Sequence, residues 1–149
     1  MIPANHLLPE ARILTTLVTL PERARLLVVD DQPINIQTLY QVFHTDYEVF
    51  MATGGEQALA FCRDNQPPDL ILLDVVMPGM DGIETCRRLK AEPTLADIPI
   101  IFVTALTDPI DETRALEAGG VDFITKPVEP AKLYAILLDW LRKKGRPGG

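Results

Sequence analysis

Five short apolar runs alternate with five helical stretches from Arg25 onward, and this alternation constrains the fold more than any other feature. The apolar runs predict strands near Arg25–Asp30, Tyr47–Ala52, Asp69–Asp74, Ile98–Val103 and Val121–Thr125. The stretches between and after them predict helices near Ile34–His44, Gly55–Asn65, Gly82–Ala91, Pro109–Ala118 and Pro130–Lys144. Repeated strand–helix–strand units require right-handed crossovers and helices on both faces of the sheet. We therefore predict an α/β fold with a doubly wound, five-stranded parallel sheet.

Composition and charge narrow the classes of function. The chain has 149 residues, of which 47% are hydrophobic and 23% charged, as expected for one ordinary globular domain. Its net charge of −7 argues against direct nucleic-acid binding, because the sequence has no extended basic stretch that could bind the phosphates. Cys62 and Cys86 lack a metal-type spacing and fit reduced thiols, so we expect a cytoplasmic protein.

Two terminal segments lie outside the alternating region. Residues 1–24 form an N-terminal extension, in which Ile13–Leu20 predict a short amphipathic helix that is too short to cross a membrane. Its apolar face comprises Ile13, Leu14, Leu17 and Val18. We expect this segment either to pack on its own domain or to be a poorly ordered extension, and the alternative is self-association into a homodimer. Residues 145–149 predict a linker-like tail.

Polar residues stand where the predicted strands end. Asp30 and Asp31 end the first apolar run, Asp74 ends the third, Thr104 ends the fourth, and Lys126 follows the fifth. The carboxyl ends of parallel strands share one edge of the sheet, which is where open α/β sheets bind ligands. Three acids, a hydroxyl and a lysine at one edge suit a divalent cation and a phosphoryl group.

These motifs and their order resemble the receiver domain of two-component response regulators, including the chemotaxis regulators. The matching elements are Asp30-Asp31, the stretch from Asp74 through Met77-Pro78 to Asp81-Gly82, Thr104-Ala105 and Lys126-Pro127. The likeness covers residues 25–144. It implies a flavodoxin-like fold with the strand order 2-1-3-4-5.

The resemblance also implies the chemistry. Asp74 would accept a phosphoryl group from a phosphohistidine, in a step that depends on Mg²⁺ (or Mn²⁺). Asp31 and Asp74 would bind the cation directly, Asp30 through water and Val76 through its backbone carbonyl. An alternative interpretation of Asp30-Asp31 is that the pair only opens a helix, since Asp is a favoured N-cap residue.

Three further residues would respond to phosphorylation. Lys126 would place its charge against the phosphoryl group, and Thr104 would donate a hydroxyl hydrogen bond to it. In receivers an aromatic residue three positions before the lysine commonly rotates with the threonine, and Phe123 holds that position. The alternative is that Phe123 belongs permanently to the core.

Val76 and Leu106 would control how long the phosphoryl group lasts. They stand two residues after Asp74 and Thr104, where they border the path of an attacking water. Both are apolar and form no hydrogen bond to water, so we expect a long-lived phosphoryl group. The opposing view is that Leu106 swings clear of that path.

The expected partners are a histidine kinase or a histidine phosphotransfer protein, and downstream an output domain or partner protein. We expect a phosphoacceptor and not an enzyme. The output stays open between a cyclic-di-GMP enzyme, a kinase, transcription and a stand-alone receiver. The segment from Gly119 to Val128 resembles that of receivers attached to cyclic-di-GMP enzymes or kinases more than that of receivers attached to DNA-binding domains.

Two other classes remain alternatives. A magnesium-dependent, phosphatase-like hydrolase would need an acid–base Asp two residues after its nucleophile, where this chain has Val76. A flavodoxin-like nucleotide or flavin binder would need a Gly-rich or Ser/Thr-rich phosphate loop after the first strand. This chain has Asp30-Asp31-Gln32-Pro33 there, whose charge would repel a phosphate.

Overall fold

A computed structural model of the chain describes residues 23–145, with side chains as far as Lys143. The predicted helix at Ile13–Leu20 and most of the predicted tail lie outside these residues. The strands are β1 (Arg25–Val29), β2 (Glu48–Ala52), β3 (Leu70–Leu73), β4 (Ile100–Thr104) and β5 (Asp122–Thr125). The helices are α1 (Pro33–Phe43), α2 (Gly55–Asp64), α3 (Gly82–Ala91), α4 (Pro109–Glu117) and α5 (Pro130–Gly145).

The five strands form one parallel sheet in the order β2-β1-β3-β4-β5. The predicted fold class and strand order are therefore confirmed. The order reverses between β1 and β3, so the crevice at the carboxyl ends of these two neighbours lies at the topological switch point.

Alternate residues along each central strand point to opposite faces of the sheet. One face packs against α2, α3 and α4 and contains Leu27, Ile71 and Phe102. The other face packs against α1 and α5 and contains Leu26, Leu72 and Val103. Because both faces are covered, β3 and β4 consist entirely of buried residues. This two-sided burial explains why their sequences are continuous apolar runs.

The predicted element boundaries agree with the observed ones to within two residues. β3 ends at Leu73 and not at Asp74, although the Asp74 amide still donates to the Val29 carbonyl at 3.0 Å. β4 begins at Ile100 and not at Ile98, because the Ile98 amide is bonded to the Leu95 carbonyl in a turn. Both differences arise at strand ends, where local turns compete with the ladder.

The helix termini orient the loops at the carboxyl edge of the sheet. Asp81 caps α3 by accepting a hydrogen bond from the Glu84 amide at 2.8 Å, as expected for turn and helix-start chemistry. Pro33 opens α1, where the missing amide hydrogen costs no helical bond. Gly119, after α4, has a φ of 119°, a conformation that favours glycine.

The last helix buries one face, as its periodicity predicts. Leu133 and Leu137 are buried against the sheet, and Lys132, Asp139 and Lys143 are exposed. None of the helices within residues 23–145 is both long enough and apolar enough to cross a bilayer.

Candidate functional site

Three carboxylates meet at the switch point of the sheet. Asp30 and Asp31 follow β1, and Asp74 follows the neighbouring strand β3. One oxygen from each lies within 4.8 Å of the others. Asp30 and Asp74 are buried, with exposed fractions of 3% and 7%, whereas Asp31 is half-buried. Buried like charges repel one another strongly, so such a cluster requires compensating positive charge.

Part of that compensation comes from Lys126, at the end of β5. Its Nζ lies 2.7 Å from Asp30 Oδ2 and 3.2 Å from Asp74 Oδ2. Burial alone would lower the pKa of the Lys126 ammonium, but the hydrogen bond to Asp30 and the charges of Asp74 and Asp30 outweigh burial and raise that pKa. The lysine is therefore cationic across the neutral range. Its contact with Asp30 is a feature that the sequence did not predict.

Asp30 also supports the start of α1. Its Oδ1 accepts a hydrogen bond from the Gln32 amide at 2.9 Å, in the manner of an Asx turn. The alternative that the acidic pair opens the helix is not confirmed as a cap, because the N-cap of α1 is Gln32 and has no side-chain hydrogen bond, although Asp30 orients that residue. The same carboxylate nevertheless pairs with Lys126 through its other oxygen.

The loop after β3 holds Asp74 in place. The Val76 amide lies 3.4 Å from Asp74 Oδ1, and the Gly82 amide donates to the Val75 carbonyl at 2.8 Å. A Cβ on Gly82 would lie 1.9 Å from the Asp74 carbonyl oxygen, so only glycine permits this approach. The sequence predicted Gly82 only as the start of a helix, and this positioning role was missed. The Asp-Gly step before a helix was the available signal.

The two predicted switch residues lie at the junction of β4 and β5. Thr104 is fully buried, and its Oγ1 accepts a hydrogen bond from the Leu106 amide at 3.4 Å. Phe123 is half-buried and packs against the core on the α2–α3–α4 face. Its ring centroid lies 6.5 Å from that of Phe102, its register partner on β4. Both predicted switch residues are thus in place, with Phe123 at the boundary between core and surface.

The two residues predicted to control hydrolysis differ in exposure. Val76 is 57% exposed, and Leu106 is partly buried against the core. The position two residues after Asp74, where a phosphatase-like hydrolase would carry its acid–base group, is therefore an exposed valine. Within residues 23–145, the three carboxylates are the one cluster of three or more candidate metal-binding residues.

The chain belongs to the response regulator receiver domain family, because the family model of that description matches residues 26–138. The expected resemblance is therefore confirmed. The chain is 42% identical, over an alignment of 135 residues, to the response regulator PleD of Caulobacter vibrioides; the alignment covers 84% of this chain and 30% of PleD. It is 43% identical over 124 residues to the phosphate regulon transcriptional regulatory protein PhoB of Pseudomonas aeruginosa, with coverage of 83% and 53%.

Solved structures give the same result. The signal receiver domain of a signal transduction histidine kinase from Syntrophus aciditrophicus has a TM-score of 0.76 and 39% identity, covering 83% of this chain and 93% of that one. The chemotaxis protein CheY4 of Vibrio cholerae has a TM-score of 0.74 and 29% identity, with coverage of 78% and 98%. The chain thus spans nearly all of these structures but only 30% of PleD and 53% of PhoB.

Proposed function

We propose that Asp74 is the phosphoacceptor of a two-component phosphorelay. The observation that carries this proposal is the position of the Asp74 carboxylate, which shares one cluster with Asp30 and Asp31 and lies 3.2 Å from the Lys126 ammonium. A carboxylate in this position can be shielded from repulsion by the incoming phosphoryl group. It can also be held in line with the phosphodonor.

The donor set fits a hard divalent cation, since all three side chains offer oxygen ligands within 4.8 Å of one another. Asp31 and Asp74 would hold Mg²⁺ (or Mn²⁺) directly, Asp30 through water, and Val76 through its backbone carbonyl. When bound, the cation neutralises repulsion between the carboxylates and the incoming phosphoryl oxygens. Asp30 is better suited to the indirect role, because its two oxygens already accept hydrogen bonds at 2.7 and 2.9 Å from Lys126 and the Gln32 amide. The corresponding contacts of Asp74, with Lys126 and the Val76 amide, are longer, at 3.2 and 3.4 Å.

The transfer itself requires few groups. An Asp74 carboxylate oxygen forms a bond to phosphorus while the bond from phosphorus to the donor's histidine nitrogen breaks, and the imidazole leaves. Lys126 stays close to Asp74 and meets the phosphoryl charge, and the Thr104 hydroxyl donates to a phosphoryl oxygen. The phosphodonor is a histidine kinase or a histidine phosphotransfer protein.

Phosphorylation then changes the surface around β5. Thr104 would exchange its contact with the Leu106 amide for one with the phosphoryl group, which vacates space for Phe123. Phe123 has no hydroxyl, so a partner reads the outcome by shape and apolar contact. The surface that changes comprises α4, β5 and α5. Phe123 is only half-buried, which favours a moving residue over a permanent core residue.

The output belongs to an output domain or a partner protein. Relatives with longer chains include regulators named as DNA-binding and transcriptional, together with PleD, so the family supports several outputs. We place the protein in the cytoplasm, because Cys62 and Cys86 are both free and buried thiols.

Labelling with acetyl phosphate tests the phosphoacceptor. The wild type should take up phosphate at Asp74 in Mg²⁺ and lose this uptake in EDTA, as measured by mass spectrometry of the intact protein and its peptides. Asp74→Asn should abolish the label. The exposed Asp97 offers a matched control, and Asp97→Asn should label normally. A label on another residue, or one that survives in Asp74→Asn, would contradict the proposal, and flavin absorbance in the purified protein would favour the flavin-binding alternative.

A further inference from the structure

A neutral groove runs along α1 beside the edge strand β2. It has a volume of about 570 Å³ and is lined by Ile34, Gln37, Thr38, Tyr40, Gln41 and Met51. Ile34 is 66% exposed and Met51 50% exposed, so the groove presents two large apolar side chains to solvent. We call these six residues the α1–β2 groove. It lies outside the cluster of carboxylates and Lys126.

The groove carries no charge in a chain whose net charge is −7. None of its lining residues is ionisable at neutral pH, and α1 as a whole contains no acidic or basic residue. Such a surface offers apolar contact and amide hydrogen bonds but no ion pairs. It therefore suits an occupant that is itself uncharged, because burying an unpaired charge there would be costly.

The first described residue, Arg23, lies close to this groove, because it contacts His44, whose ring stacks on the groove residue Tyr40. The Arg23 guanidinium donates to the carbonyls of His44 and Thr45, at 3.1 and 3.5 Å, just beyond the end of α1. The Ala24 carbonyl accepts from the Glu48 amide at 2.9 Å, at the start of β2. The described structure therefore begins between the end of α1 and the start of β2.

One segment of this chain matches both the position and the chemistry. Ile13–Leu20 contains no charged residue, and Leu20 precedes Arg23 by three positions, a distance of at most about 11 Å in an extended chain. As a helix the segment would span about 12 Å, and the positions from Ile34 to Gln41 on α1 span about 10 Å. We propose that Ile13–Leu20 occupies the α1–β2 groove, with its apolar face toward Ile34, Tyr40 and Met51.

The other exposed apolar side chains fit this segment less well. Leu138 on α5 is 43% exposed, but its helical neighbours Asp139, Arg142 and Lys143 are charged and exposed. Ile110 is 67% exposed on α4, beside Asp111 and Glu112 and at the carboxyl edge of the sheet, opposite the entry point of the chain. The α1–β2 groove is a neutral surface, and its residue Tyr40 stacks on His44, which binds the first described residue, Arg23.

Disulfide trapping in the full chain tests the position of the segment. Leu17→Cys combined with Met51→Cys should oxidise to an intramolecular cross-link that forms at the same rate at all protein concentrations. The matched controls are Leu17→Cys with Ile110→Cys and Leu17→Cys with Leu138→Cys, which should cross-link at least about tenfold more slowly. The native thiols will not compete, because burial raises the pKa of Cys62 and of Cys86 to about 11.

Equal cross-linking in all three pairs, or fastest cross-linking to Leu138→Cys, would overturn the proposal. A cross-link that forms only between two molecules would show that a second copy of the chain fills the groove instead.

Methyl NMR on the full chain gives an independent measurement without engineered thiols. Leu17→Asp with Val18→Asp should shift the Met51 and Ile34 methyl signals, because a charged face would leave the neutral groove. Thr16→Asp with Thr19→Asp adds the same charge on the opposite face of the segment and should leave both signals in place. Identical spectra for the first variant and the wild type would refute the docking.

Discussion

The central strands and the edge strand β5 contribute to the same site but differ in how they are held. β3 has covered faces and strand neighbours on both sides, and all its residues are buried. β5 pairs with β4 on one side only, and none of its residues is fully buried. The central strands supply Asp30 and Asp74, whereas β5 supplies Phe123 and leads into Lys126.

This difference separates the fixed part of the site from the part that can respond. Asp30 and Asp74 are buried directly after central strands, where displacement would disrupt the core on both faces of the sheet. Phe123 and Lys126 lie on or directly after an edge strand without fully buried residues, where local rearrangement costs less. A site built this way can keep its geometry for chemistry while its edge changes shape.

The largest expected effect concerns stability. Leu72 on β3 and Ile124 on β5 pack against the same core, on the α1–α5 face, but Leu72 is 1% exposed and Ile124 only half-buried. Leu72→Ala should lower the free energy of unfolding by about 2–5 kcal/mol and Ile124→Ala by about 1 kcal/mol. Urea denaturation of both variants measures the difference. Equal losses would show that β5 is as firmly held as β3.

Cation binding gives the next largest effect, within the acid cluster itself. Asp31→Ala should weaken Mg²⁺ binding by about tenfold more than Asp30→Ala, because a direct ligand contributes more than one acting through water. The contact between Asp30 and Lys126 strengthens this expectation, since it ties Asp30 to the end of β5. Fluorescence or calorimetric titration measures the Mg²⁺ affinity of both variants. Equal or reversed losses of affinity would refute the assignment of Asp31 as a direct ligand and Asp30 as an indirect one.

A smaller effect concerns the lifetime of the phosphoryl group. Val76→Asn with Leu106→Glu should speed its loss by about threefold or more, because the new polar groups can orient an attacking water. Decay of phosphate from labelled protein gives the rate. A double variant that decays no faster would show that Leu106 moves aside and that these positions do not limit hydrolysis.

The smallest effect is the response that crosses from β4 to β5. Thr104→Ala should still accept phosphate but should fail to shift the NMR signals around Phe123 when beryllofluoride is added. The Thr104 hydroxyl accepts a hydrogen bond from the Leu106 amide in this structure. Without this hydroxyl, the phosphoryl group would no longer be linked to the edge strand. Shifts that match those of the wild type would assign the coupling to another residue.

Much of this arrangement was predictable because it follows from strand direction. A polar residue directly after a buried apolar run must stand at the carboxyl end of its strand, and parallel strands bring these ends to one edge. Asp30, Asp74 and Lys126 were therefore expected to converge, and they lie within ion-pair distance.

Contacts between non-adjacent strands were not predictable in the same way. Lys126 lies closer to Asp30 than to Asp74, which depends on the relative positions of β5 and β1, with β3 and β4 between them. The approach of Gly82 to the Asp74 carbonyl depends on how the intervening loop closes. Neither geometry leaves a periodic signal in the sequence, since each arises from tertiary packing.

The absence of charge along α1 also determines how this face responds to salt. Electrostatic attraction between exposed groups weakens once they are separated by more than the screening length, which is about 8 Å at physiological ionic strength. A partner that contacts α1 meets no charged side chain of this helix, so salt has no such attraction to weaken there. Association through this helix should therefore vary little with ionic strength, while encounters guided by the acidic edge of the sheet should depend on it strongly.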